Sequence, residues 1–175
     1  SADLAHKSDV GGVVVNLDSI AAVQDAAGKM PRQFDRFLVE EMVRPCIAEM
    51  IIGVSRDASF GLTLLIGAGG TLVELVDDTV SLLLPAQRHE IQDAIMSLKV
   101  TRLLQSYRGN EAGDLNAVID AAVAIAAYAV DNNDTLLELD VNPLIVLPQG
   151  AVAVDALIRK SRNTTPGENG LRQSR

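Results

Sequence analysis

The order of hydrophobic patterns along the chain predicts an α+β fold. Short β-branched and alternating apolar runs dominate residues 13–84 around one short helix, helical spacing takes over from about 87 to 131, and strand-like runs return over 135–157. Strands, then helices, then strands is a segregated order, unlike the regular alternation of a parallel βαβ protein. Apolar residues make up 48% of the chain and aromatics only 3%, with no Trp, so the core must be built from Val, Leu, Ile and Ala. A length of 175 residues suits one domain or a large part of one.

The elements follow in order. Residues 1–9 are polar and lead through Gly11-Gly12 into Val13-Val14-Val15-Asn16-Leu17, a short β-branched strand. Asp18 or Ser19 caps a helix over 20–28, which Pro31 stops. Residues 37–43 and 48–55 read as two strands separated by Arg44-Pro45, a hairpin or close neighbours in one sheet. Residues 62–66 and 72–76 are two more strands, joined by Gly67-Ala68-Gly69-Gly70, and an alternating run over 80–84 ends at Pro85. Ile91, Ala94, Ile95 and Leu98, then Leu103 and Leu104, recur at helical spacing and predict one or two helices over 87–106. Asp114 caps a longer helix over 115–131 whose stripe is Leu115, Val118, Ile119, Ala122, Ile125 and Ala126; its alanines predict close packing on a neighbour. Residues 135–141 and 151–157 are strands around a turn at Pro148-Gln149-Gly150, and 161–175 form a polar tail.

Composition removes several function classes. The net charge is −8, which disfavours nucleic acid as a partner, because a duplex binder must offset phosphate charge. The longest apolar run, residues 121–130, is half the ~20 residues that a membrane helix needs. A single cysteine, Cys46, excludes a disulfide framework and a cysteine zinc site, and it suits a reducing cytoplasm. No histidine lies near Cys46 in the sequence to activate it. His89 opens a polar helix and reads as exposed; Glu40-Glu41, Glu49 and Arg56-Asp57 read in isolation as surface charges.

The final hairpin is the most informative local feature. In Leu137-Glu138-Leu139-Asp140-Val141-Asn142, strand geometry puts 137, 139 and 141 on one apolar face, and two carboxylates and an amide on the other. The returning strand brings Asp155 to about the level of Asn142. Hard oxygen donors of this kind suit Mg²⁺, and crowded like charges call for a cation. The same spacing also suits an edge hairpin with a solvated acidic face. Gly67-Ala68-Gly69-Gly70 and Gly11-Gly12 are open to two readings, tight turns or backbone cradles for an anion. Neither a P-loop nor a dinucleotide-binding fingerprint is present. His6, just before Gly11-Gly12, reads from its position alone as a solvated loop residue.

Taken together, these pieces resemble a known family. The ordered set is His6-Lys7-Ser8-Asp9-Val10-Gly11-Gly12-Val13, Val39-Glu40-Glu41-Met42-Val43, Glu49 through Asp57, Phe60-Gly61, Gly67-Ala68-Gly69-Gly70, Glu74, Arg108-Gly109, Asp114-Leu115, Glu138 through Leu144, and Val154-Asp155-Ala156. It is similar to the ATP-grasp domain of the NDP-forming acyl-CoA synthetases, relatives of the succinyl-CoA synthetase β subunit, over residues 1–158. The resemblance implies the C-terminal portion of an ATP-grasp domain, a mainly antiparallel sheet with helices packed on one side, over 1–160. It implies conversion of a carboxylic acid, CoA and ATP to acyl-CoA, ADP and phosphate through a phosphohistidine. By the match, His6 is the phosphate carrier. Gly11, Gly12, Val39, Glu41, Met42 and Glu49 hold the nucleotide, with a hinge strand and the next strand around adenine and ribose. Asp140, Asn142 and Asp155 hold Mg²⁺. CoA and a further carrier histidine belong to other domains or a partner subunit.

The chain departs from the family pattern as well. It begins after the strand whose lysine grips the ATP phosphates, and lacks the N-terminal lobe. The stretch between Met30 and Phe37 is short, and Ala58 and Leu62 stand where many relatives have Pro. These departures predict a portion of a larger synthetase, inactive alone, whose uncovered apolar surface favours self-association into a homo-oligomer. Two other readings belong with the same modules: a nucleotide- or ligand-sensing part of an acetyltransferase fusion, and a docking lobe without nucleotide.

Overall fold

The structure is a computed structural model that describes residues 12–31, 36–70, 77–106, 109 and 111–161. Two compact units divide the chain, Ser1–Arg44 and Pro45–Arg175.

Alternation over residues 48–68 builds the centre of the second unit. Strands β1 (Ala48–Asp57) and β2 (Gly61–Ala68) pair antiparallel from Met50 opposite Ala68 to Asp57 opposite Gly61. Ala48, Met50, Ile52 and Val54 on β1, and Leu62, Leu64 and Ile66 on β2, are buried on one face, as a period of two requires. The connecting turn is held by Asp57, whose Oδ1 accepts the backbone N–H groups of Ser59 at 2.7 Å and Phe60 at 2.9 Å. Strand β3 (Thr79–Leu83) adds to β2. Strand β4 (Leu136–Val146) adds to β1 and carries both β5 (Ala151–Ala153) and β6 (Ala156–Lys160) on its far side. The order among the described residues is β3-β2-β1-β4-β5, with β6 also on β4, and every pairing is antiparallel.

Helices α2 (Arg88–Ser97), α3 (Thr101–Leu104) and α4 (Leu115–Asp131) close the buried face. Ile91 and Ile95 of α2, Leu104 of α3, and Val118, Ile119, Ala122, Ala126 and Ala129 of α4 join the sheet residues in one aliphatic cluster. An Arg88–Asp120 ion pair at 2.6 Å links α2 to α4. The expected fold class, antiparallel sheet with helices on one side, is therefore the one observed. The helical stretch over 87–106 is two helices because Asp78, buried at the start of β3, accepts the N–H groups of Lys99 at 2.8 Å and Val100 at 2.7 Å.

The first unit holds α1 (Ile20–Lys29), capped by the Ser19 hydroxyl, which accepts the Ala22 N–H at 3.2 Å. Two expectations fail here. Residues 13–17 and 37–43 lie outside any strand, so the 37–43 run forms no hairpin with β1. Both runs have β propensity, but a strand exists only with a ladder partner, and the described residues of this unit provide none. Two differences concern the other expected strands. The 135–141 strand runs on through Asn142-Pro143 to Val146, and the 151–157 strand divides into β5 and β6 at Val154-Asp155. The strand expected over 72–76, and the 162–175 part of the polar tail, lie outside the described residues.

Candidate functional site

The acidic hairpin forms on β4 because Leu139 and Val141 are drawn into the core and force the residues between and beside them to the opposite face. Leu136, not Leu137, continues the buried row. The register of β4 against β6 shifts between Leu136 and Glu138, and this irregularity leaves Leu137 exposed, correcting the expected 137-139-141 face. Asp155 stands level with Asn142, whose backbone N–H donates to the Asp155 carbonyl at 3.1 Å. Opposite, Val154 N–H donates to the Pro143 carbonyl at 3.0 Å.

Electrostatics on this face are unbalanced. Burial, and then the charges of Glu138 and Asp155, push the Asp140 carboxyl above its usual range. Glu138 pairs with Arg159 at 2.9 Å, but both side chains are well exposed, so the pair screens little. Among the described residues no three His, Cys, Asp or Glu side chains are arranged to hold a metal ion. What the hairpin supplies is two carboxylates and an amide, oxygen donors throughout, around a carboxyl that like charges hold up. That donor set fits a hard divalent cation which keeps water and phosphate in its other positions.

Glu49, half-buried on β1, meets the glycine loop. Gly69 N–H donates to the Glu49 carbonyl at 2.7 Å. A Cβ on Gly69 would lie 2.9 Å from the Glu49 carbonyl carbon and the Met50 nitrogen, and one on Gly70, where φ is +84°, would lie 3.2 Å from Glu49 Oε2. Close backbone approach to β1 is thus what the structure shows for this loop. In the first unit, Val39, Glu41 and Met42 are exposed and Gly12 is half-buried in irregular backbone. His6 and Gly11 lie outside the described residues. Partial burial and the Glu49 charge raise the Cys46 thiol, which disfavours the thiolate a nucleophile would need.

Two residues do more than their sequence context suggests. Arg56, read as a surface charge, donates from Nε to the Leu136 carbonyl at 3.0 Å and from Nη2 to the Asn133 carbonyl, holding the entry to β4. Asp114, legible as a helix cap, also reaches Gly150 in the β4–β5 turn at 2.8 Å. No local sequence signal marks either long-range contact.

A family model described as an ATP-grasp domain matches residues 1–159. The chain is 31% identical to the β subunit of acetate–CoA ligase [ADP-forming] II of Pyrococcus furiosus, over 90% of this chain and 71% of that one. The chain belongs to the ATP-grasp domains of the ADP-forming acyl-CoA synthetase family. Acetate–CoA ligase [ADP-forming] I of Archaeoglobus fulgidus is 32% identical over 89% of this domain but only 24% of its own length. The ATP-grasp domain thus spans about a quarter of that ligase. Among solved structures, acetyl-coenzyme A synthetase 1 of Ca. Korarchaeum cryptofilum matches with a TM-score of 0.77 and 37% identity over 92% of this chain and 73% of that one. That protein was solved with coenzyme A and Mg-AMPPCP, with its phosphohistidine segment pointing towards the nucleotide binding site.

Proposed function

We propose that this ATP-grasp domain binds the Mg-nucleotide of an ADP-forming acyl-CoA synthetase, which converts a carboxylic acid, CoA and ATP to acyl-CoA, ADP and phosphate. The observation that carries this reading is the β4–β6 hairpin, where Asp155 stands level with Asn142 and the Asp140 carboxyl is held up by burial and by the charges of Glu138 and Asp155. Asp140, Asn142 and Asp155 hold Mg²⁺ in this reading. The ion, when bound, neutralises phosphate charge and orients the transferring group. Val39, Glu41, Met42 and Glu49 contact adenine and ribose, and Gly11 and Gly12 approach the phosphates through their backbone N–H groups.

His6 carries the phosphoryl group. A neutral imidazole is a good nucleophile near pH 7, and its N–P bond is labile enough to pass the group on. In the ATP-consuming direction, a His6 ring nitrogen attacks the γ-phosphorus. The new N–P bond forms as the bond to the β–γ bridging oxygen breaks, and ADP leaves with that electron pair. A second in-line transfer hands the phosphoryl group to the carrier histidine of the CoA-binding domain or subunit, freeing His6. The acid and CoA react there, on the partner part of the synthetase.

Incubation of the full-length synthetase with γ-labelled ATP and Mg²⁺ tests both assignments. Acid-labile, base-stable label is expected on the wild type and reduced or delayed in His6→Ala; unchanged labelling in His6→Ala removes the carrier. Asn142→Ala combined with Asp155→Ala is expected to abolish Mg-nucleotide binding, and unaltered affinity would remove the metal assignment.

A further inference from the structure

The strand that returns to Asp155 has little of its own to fix its alignment. β5 is three residues long, Val152 is 37% exposed, and Ala153 through Lys160 are all exposed. Register is strongly specified only where one face of a strand is buried, and a slip of one residue turns every side chain to the other face. Such a slip would take Asp155 out of line with Asn142 and its carboxylate away from Asp140.

The turn between β4 and β5 is held from outside the hairpin. Leu147 N–H donates to the Gly150 carbonyl at 3.0 Å and closes the turn. Asp114 then grips both sides of it: its backbone N–H donates to the Leu147 carbonyl at 2.9 Å and its Oδ2 accepts Gly150 N–H at 2.8 Å. Its other oxygen, Oδ1, accepts Ala117 N–H at 3.0 Å and caps α4, which buries five residues in the core. One carboxylate therefore ties the 147–150 turn, whose Gln149 is exposed, to a helix anchored in the core.

We propose that Asp114 is a positioning residue for the Mg-nucleotide site: by anchoring the 147–150 turn it sets the register that keeps Asp155 level with Asn142. The proposal rests on reading the hairpin as that site. Asp114 itself touches neither metal nor nucleotide. The Gly150 bond, then the Ala117 bond, hold its carboxyl below the usual range, so the ionised form that grips the turn is the one present at neutral pH.

The test compares wild type, Asp114→Asn and Asp114→Ala as the full chain, by amide hydrogen exchange and by Mg²⁺ titration at fixed ATP. The Asn142 and Val154 amides report the register directly. In Asp114→Ala their protection should fall about tenfold or more, the scale of a lost charge-assisted hydrogen bond, with β1–β2 amides unchanged. Half-saturation by Mg²⁺ should rise by a similar factor, and Asp114→Asn, which keeps one acceptor oxygen, should fall between. Protection lost evenly across the sheet would mean a merely structural cap, and an unchanged Mg²⁺ requirement despite a loosened hairpin would also overturn the proposal. Should wild type show no Mg²⁺-dependent ATP binding, the site reading falls; the exchange data then still decide whether Asp114 sets the register.

Discussion

Asp114 and Asp140 lie in the same unit, and their surroundings push them in opposite directions. Backbone donors surround Asp114 and lower its pKa, whereas burial and like charge raise that of Asp140. For Asp114, the folded pKa lies below the unfolded one, so its contribution to stability is complete above the ordinary carboxylate range and is lost as pH falls through its depressed value. Asp140 has the reverse sign: ionising it costs stability as pH rises from the ordinary range through its raised value, unless a cation balances the face. Asp114→Asn should accordingly lower the thermal midpoint near neutral pH, with the difference from wild type shrinking as pH falls below the carboxylate range. A difference independent of pH would show that the charge of Asp114 contributes nothing. The capping role of Asp114 is legible from an aspartate before an apolar helical stripe, but the Gly150 contact lies 36 positions away and has no local signature.

At the scale of elements, α4 shows how much a periodic pattern can carry. Val118, Ile119, Ala122 and Ala126 are buried as the stripe requires, and Ala129 extends it by one turn. Ala122 is fully buried, so its small side chain sets how closely the helix lies on the sheet. Ala122→Leu should destabilise by about 1–3 kcal/mol through overpacking, read as a lower urea midpoint at unchanged slope, while the exposed Ala127→Leu should change little. Equal midpoints for the two would mean that the α4 interface is loosely packed. The runs at 13–17 and 37–43 mark the limit of such patterns. Their composition is that of strands, but a ladder partner is a tertiary fact that no window of sequence contains.

At the scale of the whole molecule, folding and ligand binding are linked. A ligand that binds only the folded form stabilises it by about 2.7 kcal/mol at a hundredfold excess over its Kd. Mg-ATP should therefore raise the thermal midpoint of the wild-type protein, and ATP with a chelator should raise it much less. The shift should vanish in Asn142→Ala with Asp155→Ala; an equal shift with the chelator present would separate nucleotide binding from the metal.

By itself, the sequence determined the aliphatic core, the α+β class, the helices starting near 20, 87 and 115, and the acidic face of the last hairpin. Each follows from periodicity or composition, which local physics reads without a partner. The ordered motifs also carried the family. Tertiary structure decided which apolar runs became strands, that Leu136 rather than Leu137 faces the core, and that Gly69 and Gly70 serve close approach to Glu49. It also decided that Asp155 meets Asn142. These are questions of pairing and register, settled by residues far apart in the chain, of which Asp114 and Gly150 are the clearest case.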